Sequence, residues 1–192
     1  IMKCISCTPC TFSKIAMVLA LVWIGYSAAC SVSSEQKPVA SGTNIQTQEV
    51  KRGTAIGNIA PDFELAKFEG DGNISLKGLE GNPAVLVFWT AWCPVCKEEA
   101  PHINKLASEF EAKGVKVVGI NIGESDARVT EGIKDFGIKY AVARDKDTSV
   151  AKSYKVVGTP TVVILDKKGT VTYFGNELPK DYSDRLNKII DG

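Results

Sequence analysis

Cys93 and Cys96 stand two residues apart in Trp92-Cys93-Pro94-Val95-Cys96, after the apolar run Pro83-Ala84-Val85-Leu86-Val87-Phe88-Trp89 and ahead of a stretch with helical periodicity. Two thiols at that spacing, on a strand-to-helix turn, can close and open a disulfide. Thiolate attacks a disulfide and thiol does not. A free cysteine has a pKa of about 8.5, which a helix N-terminus can bring down to about 3.5–7.5. Cys93 precedes the expected helix, so unpaired backbone N–H groups and the positive dipole end favour its anion. Cys96 lies one turn in and is expected to be the more buried of the two. Attack then falls to Cys93 and resolution of the mixed disulfide to Cys96. A second signal sits far downstream, where Gly158-Thr159-Pro160 precedes the apolar run Thr161-Val162-Val163-Ile164-Leu165.

The alternatives for the cysteine pair are a zinc half-site or a static disulfide. Four ligands are normal for structural zinc, and the body of the chain offers neither a second cysteine pair nor a histidine pair. Of the six cysteines, Cys4, Cys7 and Cys10 precede a hydrophobic segment and Cys30 follows it. A disulfide-stapled scaffold would spread its cysteines across loops. One close pair in the body therefore points to working thiols. The only histidine, His102, lies further along the same helix and reads as surface or core edge.

Length and composition bound the rest. The chain has 192 residues, 44% hydrophobic and 23% charged, with a formal charge of +1. That is one domain of ordinary globular material with appendages. No bulk charge argues for nucleic acid or an anionic surface, and no nucleic-acid partner is expected.

Lys3 and Lys14 precede a twelve-residue apolar run, Ile15 to Tyr26, and Ser27-Ala28-Ala29 offers small residues for cleavage. This reads as a secretory signal, since a spanning helix needs about 20 residues; an uncleaved anchor is the other reading. Ser27-Ala28-Ala29-Cys30 also resembles a bacterial lipobox, which implies lipidation at Cys30. Cys4, Cys7 and Cys10 have metal-like spacing but fall in the segment that cleavage would remove. From Ser31 to about Gly53 the chain is rich in Ser, Thr, Gln and Gly and reads as a flexible linker. A coil of roughly 23 residues reaches about 25–30 Å. The expected division is signal peptide or lipobox over 1–30, linker over 31–55 and a folded domain over 56–192. Either way the body lies outside the cytoplasm.

The elements that must position the thiols follow from periodicity. Phe63-Glu64-Leu65 and Ile74-Ser75-Leu76 flank the turn Gly70-Asp71-Gly72-Asn73, a hairpin signal. Ala84 to Trp89 is a buried central strand. From Pro94 to about Lys113, Ala100, Ile103, Leu106, Ala107 and Phe110 form one helical face. Pro94 suits the first turn, Pro101 should kink the helix, and Gly114 ends it. Val115 to Asn121 is a second strand. Ser125 or Asp126 caps a helix through Phe136 that stops at Gly137. Tyr140 to Ala143 is a short strand and Asp147 to Tyr154 a short helix. Thr161–Leu165 and Val171–Phe174 form a hairpin, and Asp181 to Ile190 a last helix. The fold class is α/β, a sandwich with a mixed sheet.

With both motifs placed, the body from about Ile56 resembles the thioredoxin superfamily, and within it the membrane-tethered extracytoplasmic thioredoxins of the TlpA/ResA kind. The matching residues are Ala60-Pro61-Asp62-Phe63, Phe88 to Cys96, Lys97-Glu98-Glu99, Pro101, Val118 to Ser125, and Val157-Gly158-Thr159-Pro160-Thr161. The resemblance implies a three-layer thioredoxin-like sandwich with an N-terminal β-hairpin and an inserted βα unit. It implies a cis Pro160 beside the thiols, with the backbone of Thr159 open to an extended substrate. Trp92, Pro94, Thr159 and Pro160 become the substrate-binding candidates. Val87 occupies the position where ordinary thioredoxins carry a buried Asp, and the resemblance suggests that Glu99 serves instead as an acid near the thiols. Glu124 either caps the inserted helix or borders the site. No cofactor and no metal are implied. The partners implied are disulfide-bearing proteins, such as apocytochrome c or metal-site cysteines, and a membrane thiol relay as reductant.

Two other functions share part of the pattern. A peroxiredoxin-like peroxidase shares Ala60-Pro61-Asp62-Phe63 and the T-x-x-C of Thr90 to Cys93, but has Pro where Leu86 stands. A non-enzymatic copper carrier would use wider cysteine spacing and a downstream histidine.

Overall fold

The computed structural model describes residues 51–192. The signal-like segment, Cys30 and the linker up to residue 50 lie outside the described residues. Residues 51–55, assigned to the linker by composition, are joined to the body. Ile59 donates its N–H to the carbonyl of Lys51 at 3.0 Å, Gly53 donates to Ile59 at 2.9 Å, and Arg52 meets Asp62 at 2.9 Å.

A five-stranded mixed sheet runs in the order β5-β4-β3-β6-β7, built from β3 (Ala84–Trp89), β4 (Lys116–Ile122), β5 (Ala141–Asp145), β6 (Thr161–Leu165) and β7 (Val171–Gly175). Every residue of β3 and β6 is buried, as continuous β-branched and aromatic runs require of central strands. β1 (Glu64–Ala66) and β2 (Asn73–Ser75) form the expected antiparallel hairpin.

The two sheet faces are covered differently. Val85, Val87, Val162 and Ile164 pack against Ile103, Leu106 and Phe110 of α2 (Pro94–Phe110) and Leu186 of α5 (Tyr182–Asp191). Trp89 and Val142 continue that face to Val129 and Phe136 of α3 (Asp126–Phe136). Leu86, Phe88, Val118, Ile120 and Val163 pack instead against Leu65 and Ile74 of the hairpin, α1 (Leu76–Leu79), and Val150 and Ala151 of α4 (Ser149–Ser153). Alternate residues of each strand thus serve opposite layers. The result is the three-layer thioredoxin-like sandwich, in which α3 and β5 extend the sheet beyond β4 as the inserted unit.

Several boundaries match the expectations to the residue. Ser125 caps α3 by accepting the N–H of Arg128, and Gly137 ends it at φ 63°, a left-handed position that suits glycine. Gly114 closes the turn after α2 at φ 88°. α2 continues helically through Pro101.

Other boundaries differ. Leu76, expected in the hairpin, begins the four-residue α1, whose N-cap Ser75 accepts the N–H of Gly78. The strand expected over Tyr140–Ala143 instead runs to Asp145. Arg144 and Asp145 interrupt the apolar pattern there, yet Asp145 is wholly buried, and its carboxylate accepts the N–H groups of Val150 at 3.2 Å and Ala151 at 2.7 Å. A charged side chain that satisfies a helix start can occupy a core position that hydrophobic patterning excludes.

Strand register makes the site. Phe88 pairs with Ile120 in parallel β4 and with Thr161 in antiparallel β6. The end of β3 that leads into Cys93 therefore lies beside the start of β6, just after Thr159-Pro160.

Candidate active site

Cys93 is the N-cap of α2 and Pro94 its first residue. Cys93 and Cys96 are joined as a disulfide. Cys93 Sγ accepts the backbone N–H of Cys96 at 3.1 Å, one of the N–H groups that a helix start leaves without an intrahelical partner. The same sulfur lies 3.3 Å from the carbonyl oxygen of Thr159. Thr90 and Thr159 hydroxyls approach to 3.4 Å, a second tie between the two loops that the sequence did not reveal. The Thr159–Pro160 peptide is cis.

The expectation that Cys96 would be the more buried thiol is not met. Cys93 is 3% and Cys96 4% exposed. The Cys96 N–H on one side and the Thr159 carbonyl on the other shield Cys93 as closely as the helix body shields Cys96. Exposure at the site belongs to its neighbours: Trp92 is 67% exposed, and Pro94 and Val95 also face solvent.

Beneath the disulfide, Val87, Trp89, Cys96, Glu99, Tyr140 and Pro160 line one small cavity. Val87, in place of the Asp of ordinary thioredoxins, and Glu99 thus border the same space as Cys96. Glu99 is also engaged elsewhere, since its Oε1 accepts the N–H of Leu178 at 2.8 Å. Burial first, and then the negative charge of Glu99, push the Tyr140 phenol well above its ordinary value. Tyr140 packs close to Gly119, where an added Cβ would stand 2.9 Å from its ring and 3.1 Å from Trp89 Nε1. The indole N–H of Trp89 is buried without an acceptor among the described residues.

Glu124 does not cap α3, which Ser125 does. Its Oε2 accepts the N–H of Ala91 and the side-chain amide of Asn121, both at 2.7 Å. It therefore borders the site by holding the loop that leads into Trp92. His102 is exposed. Among the described residues no group of three or more His, Cys, Asp or Glu is placed to hold a metal ion. Cys30 lies outside the described residues.

A dithiol pair at a helix N-terminus, docked against a cis-proline loop on a mixed sheet, defines a thioredoxin-fold thiol–disulfide oxidoreductase. The AhpC/TSA family matches residues 56–174. Over 136 residues the chain is 34% identical to the thiol-disulfide oxidoreductase ResA of Bacillus anthracis, covering 70% of this chain and 78% of that protein. Over 149 residues it is 33% identical to ResA of Geobacillus kaustophilus, covering 77% and 84%. Among solved structures, a secreted Mycobacterium tuberculosis disulfide oxidoreductase homologous to Escherichia coli DsbE aligns at a TM-score of 0.56 and 26% identity, over 68% of this chain and 96% of that one. DsbF of Mycobacterium tuberculosis aligns at 0.57 and 25%, over 67% and 92%. The chain belongs to the AhpC/TSA family and, within it, to the ResA-type thiol-disulfide oxidoreductases, enzymes that act on the disulfides of partners.

Proposed function

We propose that the protein reduces disulfides of extracytoplasmic partner proteins, with Cys93 as nucleophile, Cys96 as resolving thiol and Glu99 as proton carrier. The observation that carries this reading is Cys93 Sγ at the N-cap of α2, accepting the N–H of Cys96 at 3.1 Å. A thiolate there gains a charge-assisted hydrogen bond and the positive end of a 17-residue helix.

In the reduced state, Cys93 thiolate attacks one sulfur of the partner disulfide. A Cys93–partner bond forms, the partner's own S–S bond breaks, and its second sulfur leaves as a thiolate that takes up a proton. Cys96 then loses its proton toward Glu99 and attacks Cys93 Sγ. The Cys93–Cys96 disulfide forms, the partner's first sulfur is released as thiolate, and two electrons have passed to the partner. A membrane dithiol relay is the proposed source of the two electrons that reopen the disulfide. The shared cavity of Cys96 and Glu99 supports the proton path. The exposed ring of Trp92, with Pro94 and the Thr159-Pro160 loop, supports docking of an extended segment. Cysteine-bearing apocytochrome c or metal-site proteins are the proposed substrates.

The proposed location is the periplasm or cell envelope, with residues 1–30 as signal or lipobox, attachment through a lipid on Cys30 or an uncleaved anchor, and a linker ahead of the folded domain. The secreted relative from Mycobacterium tuberculosis and the apolar run Ile15 to Tyr26 support this. Among the described residues no helix is long and apolar enough to cross a membrane.

The test is a pair of variants. Cys93→Ser should abolish reduction of a peptide disulfide, and Cys96→Ser should accumulate mixed disulfides with partners, which mass analysis would identify. Wild-type turnover in both variants would sink the assignment.

A further inference from the structure

The described residues leave four large hydrophobic side chains exposed: Ile56, Trp92, Val95 and Val157. Three of them lie on the two segments that meet at the disulfide. Trp92 and Val95 flank Cys93 in sequence, and Val157 lies two residues before Thr159, whose carbonyl touches Cys93 Sγ. Val157 is 96% exposed, so no described residue covers it. An isopropyl group held in water adds nothing to folding, and beside Trp92 and Val95 it is free for contact with a partner.

The backbone around it points to the same occupant. Among the described residues the N–H groups of Val157, Gly158 and Thr159 donate to no protein acceptor. Such unpaired N–H groups are what an extended segment meets with main-chain hydrogen bonds. A partner cysteine bonded to Cys93 must lie opposite Thr159, because Thr159 O is 3.3 Å from that sulfur. Extended chain rises about 3.3 Å per residue and returns to the same face every second residue. The chain bends at Gly158 and Thr159, so a partner segment that runs back from Thr159 carries the side chain two positions from its cysteine toward Val157, and Gly158 between them presents no side chain.

We infer that Val157 selects an apolar side chain two positions from the reacting cysteine of an extended partner segment. This rests on the proposed exchange at Cys93 and names the class of segment that it accepts.

The experiment uses the full-length reduced protein and synthetic peptides with one cysteine, capped as a mixed disulfide with a coloured thiol whose release is followed by absorbance. Paired peptides carry Leu or Asp two positions before the cysteine, or two positions after it. On one of the two sides the wild-type protein should react about tenfold faster with Leu than with Asp, a difference of about 1.4 kcal/mol. Val157→Ser should bring that ratio within about twofold. Ile56→Ser should keep it, because Ile56 adjoins Gly57, which bonds Val171 at the far end of the sheet. Equal rates for Leu and Asp on both sides, or a tenfold preference that survives Val157→Ser, would overturn the inference while leaving exchange intact. Failure of the wild-type protein to react with any peptide would overturn the exchange reading and this inference with it.

Discussion

Glu124 Oε2 accepts the backbone N–H of Ala91 at 2.7 Å, so a carboxylate at the end of β4 fixes the loop that presents Trp92 and Cys93. The same oxygen takes the buried Asn121 amide at 2.7 Å. From the other side, Gly132 of α3 comes so close that an added Cβ would stand 2.7 Å from Ala91 Cβ and 3.1 Å from its Cα. The inserted unit therefore grips the active-site loop at one residue, by a hydrogen bond and by close packing. A loop held this way keeps the thiols in position without an ordering cost at each encounter.

Replacing Glu124 with Ala strips the acceptor from two donors, one of them on the buried Asn121. Leaving such groups unpaired costs about 1–3 kcal/mol. Glu124→Ala should lower the unfolding free energy by about 2–3 kcal/mol in urea titrations and slow peptide-disulfide reduction. Glu124→Gln should lose less than half as much, since one carbonyl oxygen can serve both donors. Equal losses in the two variants would mean that charge, and not the shared acceptor, holds the loop.

Gly132 tests the packing half of the grip. In an open helix position Gly→Ala stabilises by about 1 kcal/mol. Here the new methyl would also stand 2.8 Å from Trp89 Cζ3, and overpacking costs about 1–3 kcal/mol. Gly132→Ala should therefore come out neutral to about 2 kcal/mol destabilising, with altered near-ultraviolet signal from Trp89. A gain in melting temperature would show that α3 has room to move away from the loop.

Where residue type and periodicity agree, sequence alone locates the structure. β3 reads as buried because all six of its residues are apolar, and α3 reads to both ends because Ser125 and Gly137 are cap residues. The thiol pair and Thr159-Pro160 are legible as motifs, but that they lie side by side follows from the family resemblance and not from spacing, because it depends on β6 lying antiparallel beside β3. α1 escapes notice because four residues hold too little periodicity. Asp145 reads as a loop residue, since only the tertiary structure shows that it caps α4 from inside the core. The near-equal burial of Cys93 and Cys96 likewise arises from a loop more than sixty residues away.

Asp145 itself carries a prediction. Its two oxygens take the N–H groups that begin α4, and bonds to a charged acceptor contribute about 1.5–3 kcal/mol each. Asp145→Ala should cost about 3 kcal/mol and raise amide exchange at Val150 and Ala151. Unchanged exchange at those two amides would show that α4 is held by packing alone.

Alkaline stability follows from Tyr154. It is fully buried, and its hydroxyl donates to Pro61 O at 2.9 Å. Burial first, and then the nearby Asp62 carboxylate, raise its ionisation above the ordinary value. The unfolded chain gives up this proton near pH 10 while the folded chain keeps it, so the unfolded state binds fewer protons there. Stability is complete below about pH 10 and falls as pH rises past it. Tyr154→Phe should cost about 1 kcal/mol at neutral pH and flatten the alkaline decline in urea titrations run at successive pH values. An unchanged slope would assign the decline to other groups.

Glu99 serves two places at once, and its variant separates them. Its Oε1 holds Leu178 N at 2.8 Å, and its carboxylate borders the cavity shared with Cys96 and Tyr140. Gln at this position can keep the bond to Leu178 through its carbonyl oxygen but cannot carry a proton. If Glu99 only staples the Leu178 loop, Glu99→Gln should leave both stability and exchange unaltered. If it accepts the Cys96 proton, stability should stay within about 1 kcal/mol while resolution of the Cys93 mixed disulfide slows. Positioned proton transfer contributes about 10²–10⁴-fold, and water reaching the cavity would recover part of it, so a slowing of about ten- to hundredfold is expected. Stopped-flow kinetics should place the slowing in the resolution phase and leave the first attack by Cys93 at the wild-type rate. An independent sign of the lost charge comes from Tyr140. Glu99 adds to the burial that raises that phenol, so in the variant its ultraviolet titration should begin at lower pH. Earlier Tyr140 ionisation with unchanged resolution would place the charge of Glu99 in the cavity and its proton outside the reaction.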